Sequence, residues 1–421
     1  MSVVMAEDIE RGTARRPRMI ARFAALAAVI LWISACGGGG GGGDGGVLAT
    51  GDILVPSQVT PALEFTDIGV GYGHVCAVAT NGGTYCWGKN EHGVLGSTAA
   101  MSVCVLPISK GGFPCTGSPV VVESTPWLLR VGGSQNHSCG LDGNGSAFCW
   151  GFGLGGQLGD GSQQNSAHPV PVAGGHAFEM IGVGGDSGMT CGVTPNGSPL
   201  CWGIGILGDG TVDGSAVPVS VSAPEPLTTI SVGGRHACGL SADGRGYCWG
   251  SNWFGQLGVG SAGGLGGLGQ ALSPVAVIGE LSFVAISAGG MHTCGLTTSG
   301  AAYCWGLGDL VGADGHIGYV ATPVVVSGGH SFVAISSGFA HSCGLTADGL
   351  AFCWGEGLSG QLGDGTTSGH VTPRPVAQGQ VRFRQLVAGG NTCALAEDGT
   401  AYCWGRNPFG ESGRPGYEVL P

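Results

Sequence analysis

A pair of cysteines returns seven times along this chain, always ten positions apart and always followed by Trp-Gly. Midway between the two cysteines of every pair lie three residues that end in Gly, from Thr80-Asn81-Gly82 in the first copy to Glu397-Asp398-Gly399 in the last. Gly adopts the left-handed conformation that the last position of a three-residue hairpin loop requires. The pattern therefore predicts seven β-hairpins in which each cysteine faces its partner. The predicted disulfides join Cys76 to Cys86, Cys139 to Cys149, Cys191 to Cys201, Cys238 to Cys248, Cys294 to Cys304, Cys343 to Cys353 and Cys393 to Cys403.

Strand periodicity assigns the side chains of each hairpin to two faces. In the fifth copy, His292 and Cys294 share one side with Cys304, whereas Tyr303 and Trp305 point to the other. Gly295 lies opposite Tyr303, and we expect the tyrosine ring to cover the glycine.

Two further segments accompany each hairpin in a constant order. A Pro-Val segment such as 323–326 comes first, a Phe-x-x-Ile segment such as 332–335 comes second, and the hairpin follows. Four short antiparallel strands repeated seven times are typical of a β-propeller. The expected fold class is all-β, a seven-bladed β-propeller of four-stranded antiparallel blades with one disulfide per blade. We expect 53–71 to lie beside 403–420 and close the ring, and the sequence leaves open whether each unit coincides with one blade.

The N-terminus has the pattern of an export signal. Five arginines between Arg11 and Arg22 precede an apolar run, 23–35, that is shorter than the roughly 20 residues a membrane-spanning helix needs. Residues 31–36 resemble the lipobox of bacterial lipoproteins, in which Cys36 would take the lipid; a plain secretory signal with a spare thiol is the alternative. The predicted organisation is a signal peptide with lipobox at 1–36, a Gly-rich linker at 37–52 and the seven-repeat propeller at 53–421.

Export also accounts for the other cysteines, because disulfides persist in oxidising compartments. All sixteen pair if Cys104 joins Cys115. Zinc is the alternative, since His292, Cys294 and Cys304 could present three ligands on one side of a hairpin. Two repeats replace the His while every repeat keeps both cysteines, which favours disulfides. We expect neither a metal nor a cofactor.

The charge balance excludes one class of partner. The chain has 15 Lys plus Arg against 27 Asp plus Glu, and 10 against 24 once residues 1–35 are removed, a net charge of −14. Binding of nucleic acid through a basic footprint is therefore not expected.

Gly-rich motifs after the Trp-Gly pairs carry a family resemblance. Trp150-Gly151 with 156–161 and Trp354-Gly355 with 360–365, both reading Gly-Gln-Leu-Gly-Asp-Gly in the second part, resemble the regulator of chromosome condensation repeat. The resemblance covers nearly all of 53–413 and implies a seven-bladed propeller. The family includes an exported β-lactamase inhibitory protein, so it implies protein binding. The guanine-nucleotide exchange and chromatin attachment of the eukaryotic founder remain an alternative, which the signal, the cysteine pairs and the acidic balance oppose.

Segments just after each Trp-Gly differ between units while their neighbours do not. Equivalent positions on seven blades should ring one face, so we predict a binding face there, with packing on the adjacent blade as the alternative. The candidate residues are Glu91, His92, Trp253, Phe254, Glu356, Arg406 and Phe409. A second candidate contact element is the insertion at 101–117, which a bond between Cys104 and Cys115 would staple; a surface loop without a contact role is the alternative. The insertion at 261–270 is predicted to be mobile.

No motif of a hydrolase nucleophile, zinc protease or phosphate-binding loop occurs, so we expect a protein that is not an enzyme. A cell-envelope hydrolase built from loops near the central channel is the remaining alternative. Five recurring histidines are expected to be buried hydrogen-bonding residues: His74, His137, His236, His292 and His341. The expected protein is a monomer at the bacterial cell envelope, facing periplasm or exterior. It would touch the membrane only through its lipid and bind an unknown protein or envelope component.

Overall fold

A computed structural model describes residues 52–61, 63–99, 101–105, 112–184, 188–263, 269–316 and 318–414. The predicted signal, Cys36 and nearly all of the linker lie outside the described residues. Those described form seven antiparallel sheets, six of four strands and one of five. The seven-bladed propeller is thereby confirmed.

Each blade runs from an inner strand outward through a second, a third and an outer strand. The inner strands are β2 (Phe65–Val70), β7 (Leu128–Gly133), β11 (Met180–Val183), β15 (Leu227–Val232), β19 (Phe283–Ala288), β23 (Phe332–Ser337) and β27 (Phe383–Ala388). The second strands are β3 (His74–Ala79), β8 (His137–Asp142), β12 (Met189–Val193), β16 (His236–Ser241), β20 (His292–Thr297), β24 (His341–Thr346) and β28 (Thr392–Ala396).

Third and outer strands complete the blades. The third strands are β4 (Thr84–Lys89), β9 (Ala147–Gly151), β13 (Pro199–Gly203), β17 (Gly246–Ser251), β21 (Ala302–Leu307), β25 (Ala351–Gly355) and β29 (Ala401–Gly405). The outer strands are β6 (Gly112–Val121), β10 (Ser166–Pro171), β14 (Ser215–Ser220), β18 (Gln270–Ala276), β22 (Tyr319–Val325), β26 (His370–Pro375) and β1 (Ile53–Gln58). Blade 1 adds β5 (Ser102–Val105), and two 3-10 turns span Glu91–Gly93 and Gly308–Leu310.

Sequence units and blades are offset by one strand. The Pro-Val segment pairs with the third strand of the hairpin that precedes it in sequence, so it is the outer strand of the previous blade. Ring closure follows from this offset, because β1 has no earlier hairpin and pairs with β29 of blade 7 instead. The prediction that 53–71 lies beside β29 holds for β1, whereas β2 within that range is the inner strand of blade 1.

Every outer strand carries a proline. The outer strand has one unpaired edge, and proline, which lacks an N–H, discourages another chain from pairing there. These prolines are Pro56, Pro119, Pro169, Pro218, Pro274, Pro323 and Pro373. The repeated Pro-Val pattern is therefore a property of exposed sheet edges.

The cysteine hairpins form as predicted. In each blade a cysteine of the second strand lies directly opposite its partner on the third strand, with Cα–Cα distances of 4.0 to 4.1 Å, and every pair is bonded and fully buried. The last residue of each loop is a left-handed Gly, with φ of 77° to 85°. The bonds join Cys76 to Cys86, Cys139 to Cys149, Cys191 to Cys201, Cys238 to Cys248, Cys294 to Cys304, Cys343 to Cys353 and Cys393 to Cys403.

The aromatic cover of the hairpin glycine differs from the prediction. Gly295 does pair with Tyr303 across the hairpin, but the ring packed over this glycine belongs to Phe283 of the inner strand. The prediction that Tyr303 covers Gly295 was wrong, because the inner strand lies on the other side of the glycine and brings its own aromatic ring.

Antiparallel succession places the connections on two opposite faces. Inner-to-second turns and third-to-outer loops lie on one side, which we call the loop face. Hairpin turns and the connections to the next blade lie on the other, which we call the turn face. No helix among the described residues is long and apolar enough to cross a membrane.

Removing one cross-strand disulfide tests how far these bonds support the hairpins. We expect Cys294→Ala with Cys304→Ala to lower the free energy of unfolding by about 2 to 3 kcal/mol, because the bond closes a short loop in the unfolded chain. Urea unfolding followed by tryptophan fluorescence measures the change. An unchanged midpoint would show that strand packing alone holds the hairpin.

Candidate functional site

The loop face is built on hydrogen bonds that cross from one blade to the next. Where blades 4 and 5 meet, His236 Nε2 lies 2.8 Å from Thr293 Oγ1, and this hydroxyl donates to Gln256 O at 2.8 Å. Trp305 Nε1 donates to the same carbonyl at 2.9 Å. Because the hydroxyl donates its only proton to the carbonyl, it accepts from His236 Nε2–H. Gln256 belongs to the third-to-outer loop of blade 4, so the loop and the blade contact share one carbonyl.

The His-to-hydroxyl bond recurs at five of the seven contacts between blades, which we call seams. All five histidines are buried, and burial lowers their pKa to about 3 or 4, so they are neutral. Their predicted structural role is confirmed. Among the described residues, no cluster of three His, Cys, Asp or Glu could hold a metal. The bonds, with distances of 2.6 to 2.8 Å, join His74 to Ser138, His137 to Thr190, His236 to Thr293, His292 to Ser342 and His341 to Thr392.

The two seams without this bond lack both of its partners. Met189 replaces the His of blade 3, and the following blade carries Ala237 where others have Ser or Thr. Asn391 replaces the His of blade 7, and blade 1 carries Val75. The seam between blades 3 and 4 is apolar instead, since Met189 and Ala237 lie in one buried cluster and Trp249 Nε1 finds no acceptor among the described residues.

The seam between blades 7 and 1 contains a buried acid. Glu411 occupies the position of Gln157, Gln256 and Gln361 in other blades and is fully buried. Its carbonyl accepts from Trp87 Nε1 at 3.1 Å and from Asn391 Nδ2 at 3.2 Å. Burial raises the pKa of its carboxyl to about 8, which Arg406 opposes and Asp52 reinforces. Its Oε1 has no hydrogen-bond partner among the residues that the structure describes.

The glutamine of each Gly-Gln-Leu motif fixes the loop that precedes it. Its Oε1 accepts the backbone N–H two residues earlier, at 2.8 Å from Gly155, 2.9 Å from Phe254 and 2.9 Å from Ser359. In blade 7, Phe409 N donates to Glu411 Oε2 at 2.7 Å. The pinned loops therefore expose apolar side chains to solvent at equivalent positions. The residue just before each pinned N–H is Leu154, Trp253 or Leu358 in blades 2, 4 and 6, with exposures of 56%, 47% and 51%.

Five of the seven candidate residues lie on third-to-outer connections, and Arg406 and Phe409 lie in the equivalent segment that follows β29. All seven are therefore on the loop face. Trp253 is exposed, whereas Phe254 is half-buried with its ring 5.7 Å from that of Tyr319 in the next blade. His92 is exposed and lies 4.9 Å from the ring of Phe152 in the next blade. Both predicted alternatives therefore occur among these candidate side chains: some are exposed to solvent and some pack on the adjacent blade.

The charged candidates have local partners or partial burial. Glu91 forms an ion pair with Lys89. Arg406 lies over the Tyr72 ring and donates to its hydroxyl at 3.0 Å. Glu356 is half-buried, and burial raises the pKa of its carboxyl.

Phe409 is only 5% exposed and is not available as a contact. The insertion covers it: β5 pairs with the first part of β6, Cys104 is bonded to Cys115, and Phe113 packs against Phe409 with ring centroids 6.0 Å apart. The predicted staple is confirmed. The stapled hairpin clamps blade 1 onto blade 7, a role that its position in the sequence did not reveal.

A cavity of about 80 Å³ lies at the centre of the loop face. The ends of the inner strands and the glycines of the inner-to-second turns line it, together with Tyr72 and Phe339, whose rings are 5.5 Å apart. Ser134, Ser337 and Tyr72 supply its polar side-chain groups, and no carboxylate or His is among the described residues that line it. The hydrolase alternative, which needs such groups near the channel, gains no support here.

These observations define a class: a disulfide-stapled β-propeller scaffold that presents variable loops on one face. The chain matches the regulator of chromosome condensation (RCC1) repeat over more than half of its length and belongs to this repeat family. Two forms of the repeat match, one at residues 65–94, 227–256, 283–310, 332–361 and 384–411, the other at 144–191, 243–296 and 348–396.

Relatives include the E3 ubiquitin-protein ligase HERC2 of Homo sapiens, 27% identical over 66% of this chain and 6% of that protein. The ultraviolet-B receptor UVR8 of Arabidopsis thaliana is 27% identical over 60% of this chain and 56% of the receptor. The chain thus spans only part of either protein.

Solved structures share the fold. Human WBSCR16 superimposes with a TM-score of 0.69 at 19% identity, over 84% of this chain and 89% of that one. Prp20p of Saccharomyces cerevisiae gives 0.66 at 21% identity, over 82% and 83%.

A double-mutant cycle tests the seam bond between blades 4 and 5. We expect His236→Ala and Thr293→Val each to destabilise the chain, and the double variant to be more stable than additivity allows by about 1 kcal/mol, since the second change removes a bond already lost. Denaturant unfolding gives the four free energies. The cycle of Met189→Ala with Thr293→Val, which share no seam, should be additive. Additivity in both cycles would contradict the assignment.

The buried acid predicts a pH dependence. Because Glu411 has a pKa near 8 when folded and 4.5 as its ordinary value, the folded state binds more protons between these values, and stability falls as pH rises through this window. Glu411→Gln should remove that part of the slope. Gln361→Glu, the matched change in blade 6, should add one. Melting temperatures from about pH 5 to pH 9 measure both, and parallel curves for all three proteins would refute the prediction.

Proposed function

We propose that this chain is an exported, lipid-anchored scaffold without enzymatic activity that binds another protein or a cell-envelope component through its loop face. One observation carries the proposal. Apolar side chains stand exposed at equivalent positions of a rigid scaffold, each beside a backbone N–H that a glutamine side chain holds in place. A fixed backbone lowers the entropy lost on binding, so such positions suit contact residues.

Structures in the same fold family support the general capacity. One describes the binding properties of Prp20p to Gsp1p and histones, and another shows Kap60 bound to yeast RCC1 (Prp20). Only the capacity to bind a protein is carried over here. The acidic balance and the cysteine-rich blades favour an extracytoplasmic partner over partners like those of Prp20p.

The described propeller begins at the edge of the loop face. Ile53, the first residue of β1, pairs with Gly405 at the end of β29, where the segment equivalent to the third-to-outer loops begins. In the proposed organisation, the linker and the lipid on Cys36 precede this point in the chain.

Two variants test the face. We expect residues 47–421, bound to a resin, to retain a partner from envelope extracts, and Trp253→Ala with Phe254→Ala to lose most of it, since exposed aromatic residues dominate binding energy. Trp127→Ala is the matched control, because Trp127 is 63% exposed and packs on the hairpin turn at Gly82 on the turn face. Full recovery with the Trp253/Phe254 variant, or equal loss with the control, would remove the loop face from consideration.

A further inference from the structure

Exposed apolar side chains on the loop face lie in five successive blades, 2 to 6, including Leu358 in blade 6. Leu154, Ile204, Trp253 and Tyr319 lie on or at the end of the third-to-outer loops of blades 2 to 5, with exposures of 56%, 44%, 47% and 57%. We call these four residues the apolar arc. Apolar side chains gathered on one side of a rigid scaffold are characteristic of protein interfaces.

The arc is continuous across two seams. The side chain of Ile204 lies against Gly155, which follows Leu154 in the loop of blade 2. Tyr319 packs edge-on against Phe254, which follows Trp253. Contacts between neighbouring blades therefore hold Ile204 and Tyr319 in place and reduce the freedom that these side chains would lose on binding.

Charge around the arc has one dominant sign. Asp160 and Asp209 accept hydrogen bonds within their own turns, from Ser162 and Thr211. Asp213, Asp309 and Asp314 are exposed on the same connections, and we call these five carboxylates the negative rim. A partner seated on the arc therefore meets apolar side chains together with negative charge. The loop-face connections of these four blades carry five described carboxylates, namely Asp160, Asp209, Asp213, Asp309 and Asp314, and one described guanidinium, Arg235.

Resting on the proposed function, we propose that the apolar arc docks a cationic protein segment whose apolar side chains alternate with Lys or Arg. Opposite charge at the rim speeds encounter and excludes acidic partners, while the arc supplies the buried contact. A second copy of the chain is a poorer occupant, because face-to-face pairing would bring two negative rims together. An anionic lipid surface is disfavoured for the same reason.

Short labelled peptides test this chemistry on the purified full chain by fluorescence anisotropy. The probes are a Lys/Leu/Trp peptide, its Glu/Leu/Trp counterpart and a Lys/Ser peptide of equal charge. We expect the first to bind about tenfold or more tighter than the other two, and to weaken several-fold between about 50 and about 200 mM salt. Equal affinity for the Lys/Leu/Trp and Glu/Leu/Trp peptides would overturn the proposal.

Matched variants locate the site. Leu154→Ser/Ile204→Ser/Trp253→Ser should lose about tenfold or more in affinity for the Lys/Leu/Trp peptide. Asp209→Asn/Asp213→Asn/Asp309→Asn should lose part of the salt dependence. The control is Leu129→Ser/Val284→Ser/Val333→Ser, which changes inner-strand residues of similar exposure, 55%, 53% and 58%, near the turn face. Equal weakening by the control would overturn the proposal and indicate general attraction to an acidic protein.

Two outcomes separate this inference from the proposed function. Loss of the envelope partner by the Trp253/Phe254 variant, together with no peptide preference, would leave the loop face as the binding face and refute only the cationic chemistry. Two further results would refute the cationic chemistry, because each indicates a different occupant of the arc. One is self-association that the arc variant abolishes, and the other is binding to phosphatidylcholine vesicles in place of the Lys/Leu/Trp peptide.

Discussion

A backbone carbonyl shared between neighbouring blades is the interaction on which the rest of the structure depends, and it occurs at three of the five polar seams, at Val94, Gln256 and Gln361. At Gln256 O, a threonine hydroxyl and a tryptophan N–H from the next blade converge, and the hydroxyl is oriented in turn by His236. These groups are buried, so leaving any of them unpaired would cost about 1 to 3 kcal/mol. Because the acceptor lies in a third-to-outer loop, the bond that joins two blades also shapes the loop face.

The two seams without the His-to-hydroxyl bond show that the His and the hydroxyl are kept or lost together. Between blades 3 and 4 the His and the hydroxyl are both replaced by apolar residues, Met189 and Ala237, so no polar group on that pair is stranded. Between blades 7 and 1, Asn391 reaches the carbonyl of Glu411 directly, and the stapled hairpin adds a contact at Phe409. The point where the two ends of the propeller meet is therefore closed by three devices: β1, the Asn391 bond and the hairpin clamp.

Local features of the chain predicted what local geometry controls. The spacing of Cys294 and Cys304 and the Gly at the loop end specify register within a hairpin, and the structure follows both. The ring over Gly295 was assigned to the wrong residue, because Phe283 lies on the inner strand, and the hairpin pattern does not show which strand pairs with the hairpin on that side. The offset of units and blades has the same cause. The sequence does show that each of the five His residues is matched by a Ser or Thr in the next unit. This pattern predicts a hydrogen bond only when the order of blades and strands is known.

The division between fixed and variable positions follows from where the loop is pinned. Gln256 Oε1 holds the N–H of Phe254, and Gln256 O holds the seam, so both ends of one residue are committed to the scaffold. Trp253, one position before the pinned N–H, carries neither task. Its backbone is held while its side chain makes no bond that folding requires, and the same holds for Leu154 and Leu358. Substitution at these positions therefore changes the side chains exposed on the loop face with little effect on the stability of the propeller. This is the physical basis for placing recognition there.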